Sequence, residues 1–321
     1  MRSFQELSVF FEQEVNKRFF PEQPKNLYDA AQYILGIGGK RVRPVLVLMG
    51  NELFGEVGAD AIRIAASIEL FHNFSLIHDD IMDKAPLRRG SDTVHIRYGE
   101  STALLAGDVM LVRAYEEIAS IQHAHLAPIL RLFNQTAKEV CEGQQMDMDF
   151  EHRETVTHEE YLHMITLKTS VLLAASLQMG SILGGADEAD QQHLYDFGKN
   201  LGIAFQLQDD FLDAFGDPEK FGKQVGGDII ANKKTFLLIH ALENANPHLK
   251  NELLELLSNN ETDKVQRVLQ IFRTCGVDQW ANAQKEHFFN VAMNHLHALR
   301  VDESKKKPLI DLAGFLIQRE S

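Results

Sequence analysis

Apolar residues recur at i, i+3 and i+4 along nearly the whole chain, and alternating β-branched runs closed by Asn-Gly or Asp-Gly turns are hard to find. This spacing gathers apolar side chains on one face of a helix, whereas a half-buried strand needs a period of two. The pattern predicts an all-α fold with long helices over 58–83, 101–121, 126–150, 158–183 and 188–215. Breaks fall at Pro21 and Pro24 and at "GIGGKRVRP", "KAPLRRGSD", "GGADEAD" and "GDPEKFGKQVGGD". A length of 321 residues allows two domains or one large core. No break is long or polar enough for a linker and no repeat of fixed period is present, so residues 1–321 read as one domain, a bundle of long antiparallel helices.

Acidic residues outnumber basic ones by 46 to 32, giving a formal charge of -14. That balance opposes the basic field a nucleic-acid partner requires, so none is expected. An anionic ligand must then be met by a local basic cluster or by cations held in an acidic site. Cys141 and Cys275 are far apart and lack zinc-ligand spacing, which predicts two buried thiols and neither disulfide nor zinc. The start, "MRSFQELSVFFEQEVNKRFF", is too charged for a signal peptide, and no stretch reaches the roughly eighteen apolar residues of a membrane span. The expectation is a cytoplasmic protein without stable membrane insertion.

One short pattern occurs twice. "LIHDDIMD" at 76–83 returns as "QLQDDFLD" at 206–213, each at the C-terminal end of a long apolar helix. Asp79 and Asp83 stand at i and i+4 and share a helix face, with Asp80 one step around; Asp209, Asp213 and Asp210 repeat the arrangement. Like charges at that spacing destabilise a helix, and its C-terminus is the wrong end for anions, so positive charge must be supplied. Magnesium takes hard oxygen ligands, keeps several waters and binds through one or two carboxylates together with substrate phosphates. A single motif fits a solvated acidic helix end about as well; two on matched helices favour two walls of one cavity.

Basic residues cluster near these motifs. "GGKRVRP" sets Lys40, Arg41 and Arg43 behind two glycines and ahead of a helix whose first turn holds Pro44, an arrangement that offers backbone amides and side chains to an anion. Arg88 and Arg89 follow the first aspartates, and Lys223, Lys233 and Lys234 follow the second. Arginine suits bidentate contact with phosphate, and lysine acts as a compact charge. Lys168 sits in the apolar run "YLHMITLKTSVLLAASLQMGSILGG", where full exposure is not expected. His72 and His78 lie on the first acidic helix, and Gln206, Gln144 and Asp147 are further candidates to line the cavity.

Taken together, "GGKRVRP", "HDDIMD…RRG", "LLAGD", "EGQQMDM", "KT" and "FQLQDDFLD…GD…GK…GGD…NKKT", in this order over residues 38 to 235, resemble the trans-isoprenyl diphosphate synthase (polyprenyl synthetase) family. The resemblance implies an all-α isoprenoid synthase fold around a central deep cavity, usually homodimeric, that joins an allylic diphosphate to isopentenyl diphosphate with two or three magnesium ions. By motif, Asp79, Asp80, Asp83 and Asp209 would hold the metal, with Asp210 and Asp213 in support. Arg88, Lys168, Lys223 and Lys233 would contact the allylic diphosphate, and Lys40, Arg43, His72 and Arg89 the diphosphate of isopentenyl diphosphate. Electrostatic stabilisation of the leaving diphosphate would leave an allylic carbocation, which dipoles near Lys168, Thr169 and Gln206 would stabilise. One departure concerns Asp92-Thr93, which stands where the family commonly has Pro-Thr.

The resemblance also bears on product length. One helical turn advances about 5.4 Å, close to one isoprene unit, so a bulky residue along the first acidic helix acts as a floor. In this family the fifth residue before the first aspartate has that role; here it is Phe74, with the small Ser75 beside it and Phe71 a turn away. The layout implies geranylgeranyl diphosphate as product, with farnesyl diphosphate as the alternative. A terpene cyclase is disfavoured because its second metal motif would differ from "DDFLD", and a non-catalytic subunit because both charge sets are complete. Residues 245–321 carry no assignable motif.

Overall fold

The computed structural model describes residues 1–15, 19–216, 226–259 and 262–317. Its elements are α1 (Phe4–Val15), α2 (Lys25–Gly36), α3 (Val42–Glu52), α4 (Ala59–Met82), β1 (Leu87–Arg88), β2 (Ser91–Asp92), α5 (Val94–Tyr98), α6 (Glu100–Ala119), α7 (His123–His152), α8 (His158–Ile165), a π-helical turn (Thr166–Ser170), α9 (Val171–Gly184), α10 (Glu188–Phe215), α11 (Gly227–Ile230), α12 (Phe236–Asn244), α13 (Pro247–Ser258), α14 (Lys264–Thr274), α15 (Val277–Ala298) and α16 (Glu303–Ile317). All five long helices expected from the apolar spacing form, with ends displaced by no more than three residues.

The chain divides into two compact units. One comprises Met1–Gln135, Ala175–Tyr195 and Leu299–Leu309; the other comprises Thr136–Ala174, Asp196–Ala298 and the residues from Ile310 onward. In the first unit the core is built on α3 and α4, where Val45, Leu46, Val47, Leu48 and Met49 in one helix and Ile64, Ala65 and Ile68 in the other are fully buried. In the second it is built on α12, α14 and α15, with Phe236, Leu238, Val268, Ile271, Phe272 and Val277 in one cluster. Trp280 lies at the edge of that cluster, stacked on His240 with ring centroids 3.9 Å apart and planes 9° from parallel.

Helix starts are set by side chains the sequence provides. Thr157 and Glu160 form a capping box on α8, Thr235 caps α12, and Asn246 caps α13 with Pro247 at its first position. Pro86 is not what stops α4, contrary to its place in the sequence. The helix ends at Met82, one residue earlier than expected, because Lys84 takes a left-handed conformation (φ 52°). The Lys84 amide then donates to Ile81 O and the Ala85 amide to Asp80 O, a Schellman pairing that satisfies two terminal carbonyls.

Three further expectations need correction. A hairpin does occur: β1 and β2 pair antiparallel around Arg89 and Gly90, whose φ values of 53° and 76° are those of a type I′ turn. Neither thiol is buried; Cys141 is on the exposed side of α7, one step around from buried Val140, and Cys275 is half-buried at the end of α14. Among the described residues, the run His158–Gly184 is long and apolar enough to cross a membrane by length and composition, although no uninterrupted stretch suggested one. Its most apolar window is 67% buried inside the protein, which is the environment of a core helix.

Candidate active site

The first aspartate cluster is placed by the last turn of α4. The Asp83 amide donates to Asp79 O at 2.9 Å, so the two side chains do share a face, Asp79 half-buried and Asp83 exposed. Asp80, one step around the helix, is 2% exposed. The hairpin returns Arg88 to it: Nε donates to Asp80 Oδ2 at 2.8 Å and Oδ1 at 3.0 Å, and Nη2 to Oδ1 at 2.8 Å. Asp79 Oδ2 is 3.7 Å from the same guanidinium. A fork of this kind orients a carboxylate as well as neutralising it. Thr93 secures the hairpin, donating through Oγ1 to Ala85 O at 2.8 Å, while Asp92 O accepts from Tyr33 Oη at 2.8 Å, so the Asp-Thr pair sustains the turn without proline.

Arg89, at the turn of the hairpin, donates to Gly38 O in the glycine-rich loop. That loop carries exposed Lys40 and delivers Arg41 in a left-handed conformation at the start of α3. Arg41 pairs with Glu69 and donates to Leu35 O at 2.6 Å. Arg43 Nη1 is 3.2 Å from His72 Nε2. Because a guanidinium only donates, that nitrogen is the acceptor and the imidazole is neutral. Burial, followed by the charges of Arg43, Arg89, Arg88 and Arg41, holds His72 well below the usual histidine range. Burial also pulls Arg43 down to about 10, against the attraction of Glu69, which leaves it charged at neutral pH. Arg43, His72 and Arg89 are thus gathered in one arginine-rich patch.

The residues expected to gate product length lie on the same helix. Phe71 is buried and Phe74 half-buried, their rings 5.6 Å apart; Phe71 abuts Phe133 at 5.3 Å, and Phe74 meets His78 edge-on at 4.7 Å. Ser75 turns inward on its own helix, donating to His72 O at 2.8 Å.

In the second unit, the π-helical turn Thr166–Ser170 carries Lys168 and Thr169, both half-buried. Such turns are frequent at functional sites, and this one is recorded by no residue pattern in the sequence. Two glycines make room for it. A Cβ on Gly143 would lie 2.7 Å from Lys168 Cα, and one on Gly202 would lie 2.8 Å from Ser170 Cα. Lys168 Nζ meets Asp147 Oδ2 at 2.5 Å.

The second aspartate cluster closes α10. Asp210 is buried and accepts from Tyr161 Oη and, at 3.1 Å, from Gln206 Nε2. Burial, then repulsion from Asp228, pushes its carboxyl up to about 8. Asp213 Oδ2 accepts from the Asp228 amide at 2.9 Å, and Asp209 is half-buried. Asp228 is 3.7 Å from Lys233, and its carboxyl is raised by burial despite that lysine. Lys234 instead caps α7, donating to Phe150 O at 2.9 Å. Lys223 lies outside the described residues.

Two residues given no role from sequence belong here, Tyr161 and Asp228; the second was visible in "GGD", the first was not signalled. No group of three or more His, Cys, Asp or Glu side chains among the described residues converges on a point. A cage of protein ligands is therefore absent from them, while paired carboxylates that leave the remaining coordination to water and phosphate suit magnesium.

Against this geometry the family comparison is decisive: the polyprenyl synthetase model matches residues 24–275. The chain belongs to the polyprenyl synthetase family. It is similar to a geranylgeranyl pyrophosphate synthase of Geoglobus acetivorans, 39% identical over 93% of this chain and 92% of the relative. A short chain isoprenyl diphosphate synthase of Methanothermobacter thermautotrophicus is 38% identical over 92% and 91%. A crystal structure of a geranylgeranyl pyrophosphate synthase superposes with a TM-score of 0.94 at 43% identity, covering 100% of both chains. The polyprenyl synthetase assignment makes this chain a prenyl diphosphate synthase, a transferase with the all-α isoprenoid synthase fold.

Proposed function

We propose that this chain is a magnesium-dependent geranylgeranyl diphosphate synthase, extending an allylic diphosphate with isopentenyl diphosphate. The observation that carries the product assignment is the aromatic pair Phe71 and Phe74 on the helix that bears Asp79, backed by Phe133 of α7. Relatives named as geranylgeranyl synthases support the same reading.

Asp79, Asp80, Asp83 and Asp209, with Asp210 and Asp213 in support, would hold magnesium, which would supply positive charge to stabilise the departing diphosphate. Arg88, Lys168 and Lys233 add charge from the protein, and Arg88 also fixes the Asp80 carboxylate. The allylic C–O bond breaks, and its electron pair leaves with the diphosphate. The double bond of isopentenyl diphosphate, held by Lys40, Arg43 and Arg89, attacks the allylic carbon; a new C–C bond forms and a proton passes to the released diphosphate. Neutral His72 accepts from Arg43 and so fixes the guanidinium that binds the second substrate. Gln206 commits its amide nitrogen to Asp210, leaving its carbonyl oxygen as a dipole to stabilise the cation.

Assembly as a cytoplasmic homodimer is part of this proposal. Leu105 and Val112, seven residues apart on α6 and 59% and 58% exposed, supply an apolar face for a second copy. Incubating the purified chain with farnesyl diphosphate, isopentenyl diphosphate and magnesium, then separating the products, is the test. Geranylgeranyl diphosphate as the main product is expected. Absence of turnover would overturn the activity, and an enzyme that makes farnesyl diphosphate from geranyl diphosphate and stops there would overturn the length.

A further inference from the structure

Residues 245–321 carry no motif assignable from the sequence, yet one side chain there is placed against its own interest. Lys264 opens α14 and is 4% exposed. Burial of an ammonium group is costly, and the first turn of a helix repels a cation, so helix stability alone does not explain a lysine at this position. Its Nζ donates to Asn232 Oδ1 at 2.7 Å. Asn232 is in turn held left-handed, at φ 54°, where the chain leaves α11 and passes directly into Lys233.

The next residue of α14 grips the other end of the same segment. A Cβ on Gly226, whose φ is 85°, would lie 2.5 Å from Val265 Cγ1, so the Val265 side chain of α14 packs directly on the backbone at the start of α11. Between those two grips runs a set of bonds that reaches the second aspartate cluster. The Gly226 amide donates to Asp213 O at 2.6 Å and the Asp228 amide to Asp213 Oδ2 at 2.9 Å. The Lys233 amide donates to Asp228 O at 2.9 Å, and the two side chains are 3.7 Å apart.

We infer that Lys264 is a positioning residue: through Asn232 it fixes the segment Gly226–Lys233, and so sets the placement of Lys233 and of the Asp213 carboxylate toward the allylic diphosphate. The C-terminal helices thereby contribute to substrate affinity as well as to the core. This inference rests on the prenyl-transfer reading of Asp213 and Lys233 given above.

Two measurements separate the inference from that reading. In steady-state kinetics, Lys264→Met, which keeps the apolar stem, raises KM for the allylic diphosphate about tenfold, the scale of one lost charged hydrogen bond. Its KM for isopentenyl diphosphate stays within about twofold of the unaltered chain. Asn232→Gly, which keeps the left-handed backbone and removes the acceptor, has the same selective effect, and Asn232→Asp restores the unaltered KM. In the double variant Lys264→Met/Asn232→Gly the two effects do not add. Equal changes in both KM values would mean a merely structural lysine and would overturn the inference. The second measurement needs no turnover: amide hydrogen exchange over residues 226–235 speeds up in Lys264→Met at unchanged global unfolding midpoint. Unchanged exchange overturns the inference even if the prenyl-transfer reading holds, whereas an inactive unaltered chain overturns that reading and leaves the exchange result standing.

Discussion

Asp79 and Asp80 are neighbours in sequence and opposites in what their removal does. Asp79 is half-buried and shares its face with Asp83, so Asp79→Ala lowers kcat/KM by about two orders of magnitude or more through lost metal binding while the urea midpoint holds. Asp80→Ala leaves the Arg88 guanidinium without its bidentate partner, and the expected cost is about 2–3 kcal/mol of stability in addition to activity. Steady-state kinetics paired with urea unfolding of both variants separates the two roles. Phe74→Ala tests the floor. Removing a ring that touches Phe71 and His78 opens room along α4, and the product is expected to lengthen by at least one isoprene unit; an unchanged chromatogram removes Phe74 from that role.

Glycine inside a helix ordinarily weakens it, and Gly314 in α16 behaves as an ordinary case: nothing lies within 4 Å of an added Cβ, so Gly314→Ala stabilises by about 0.5–1 kcal/mol. Gly143→Ala has the opposite sign, because its Cβ meets the backbone of the π-helical turn, and both the melting temperature and kcat fall. The start of α8 predicts a pH effect. Glu160 is held down to about 2, chiefly by its hydrogen bond from Arg153 and then by the Thr157 amide. A carboxylate with a depressed folded pKa stabilises fully above its unfolded value of 4.5 and loses that contribution as pH falls from there toward 2. The gap in urea midpoint between the unaltered chain and Glu160→Gln is therefore constant near pH 7 and narrows below pH 4.5. Of the local elements, the apolar spacing located five long helices from the sequence. The π-helical turn was not legible there, since its wide backbone is imposed by what packs on Gly143 and Gly202, residues distant in sequence. The end of α4 was located to within one residue, but not what stops it. Lys84 has no intrinsic preference for a left-handed conformation, and Pro86 seemed the obvious stop. Among site residues, repeated aspartates and adjoining arginines announced themselves by charge, whereas Tyr161 and Lys264 act through one hydrogen bond each and leave no pattern to read.

Over the whole chain, the proposed function gives metal a part in the chemistry and none in the architecture. No described cluster of three ligands ties distant segments together, so chelation is expected to abolish turnover, with recovery on adding magnesium, while the far-ultraviolet circular dichroism stays unchanged. Loss of helical signal on chelation would show instead that metal supports the fold. The single tryptophan of the chain has a different use. Trp280 belongs to the second compact unit and lies flat on His240, an imidazole kept below its usual pKa chiefly by burial. Tryptophan emission from the unlabelled chain therefore follows the melting of that unit alone, whereas circular dichroism follows the helices of both. The interval between the two optical midpoints is a direct reading of whether the units unfold as one cooperative system or as two.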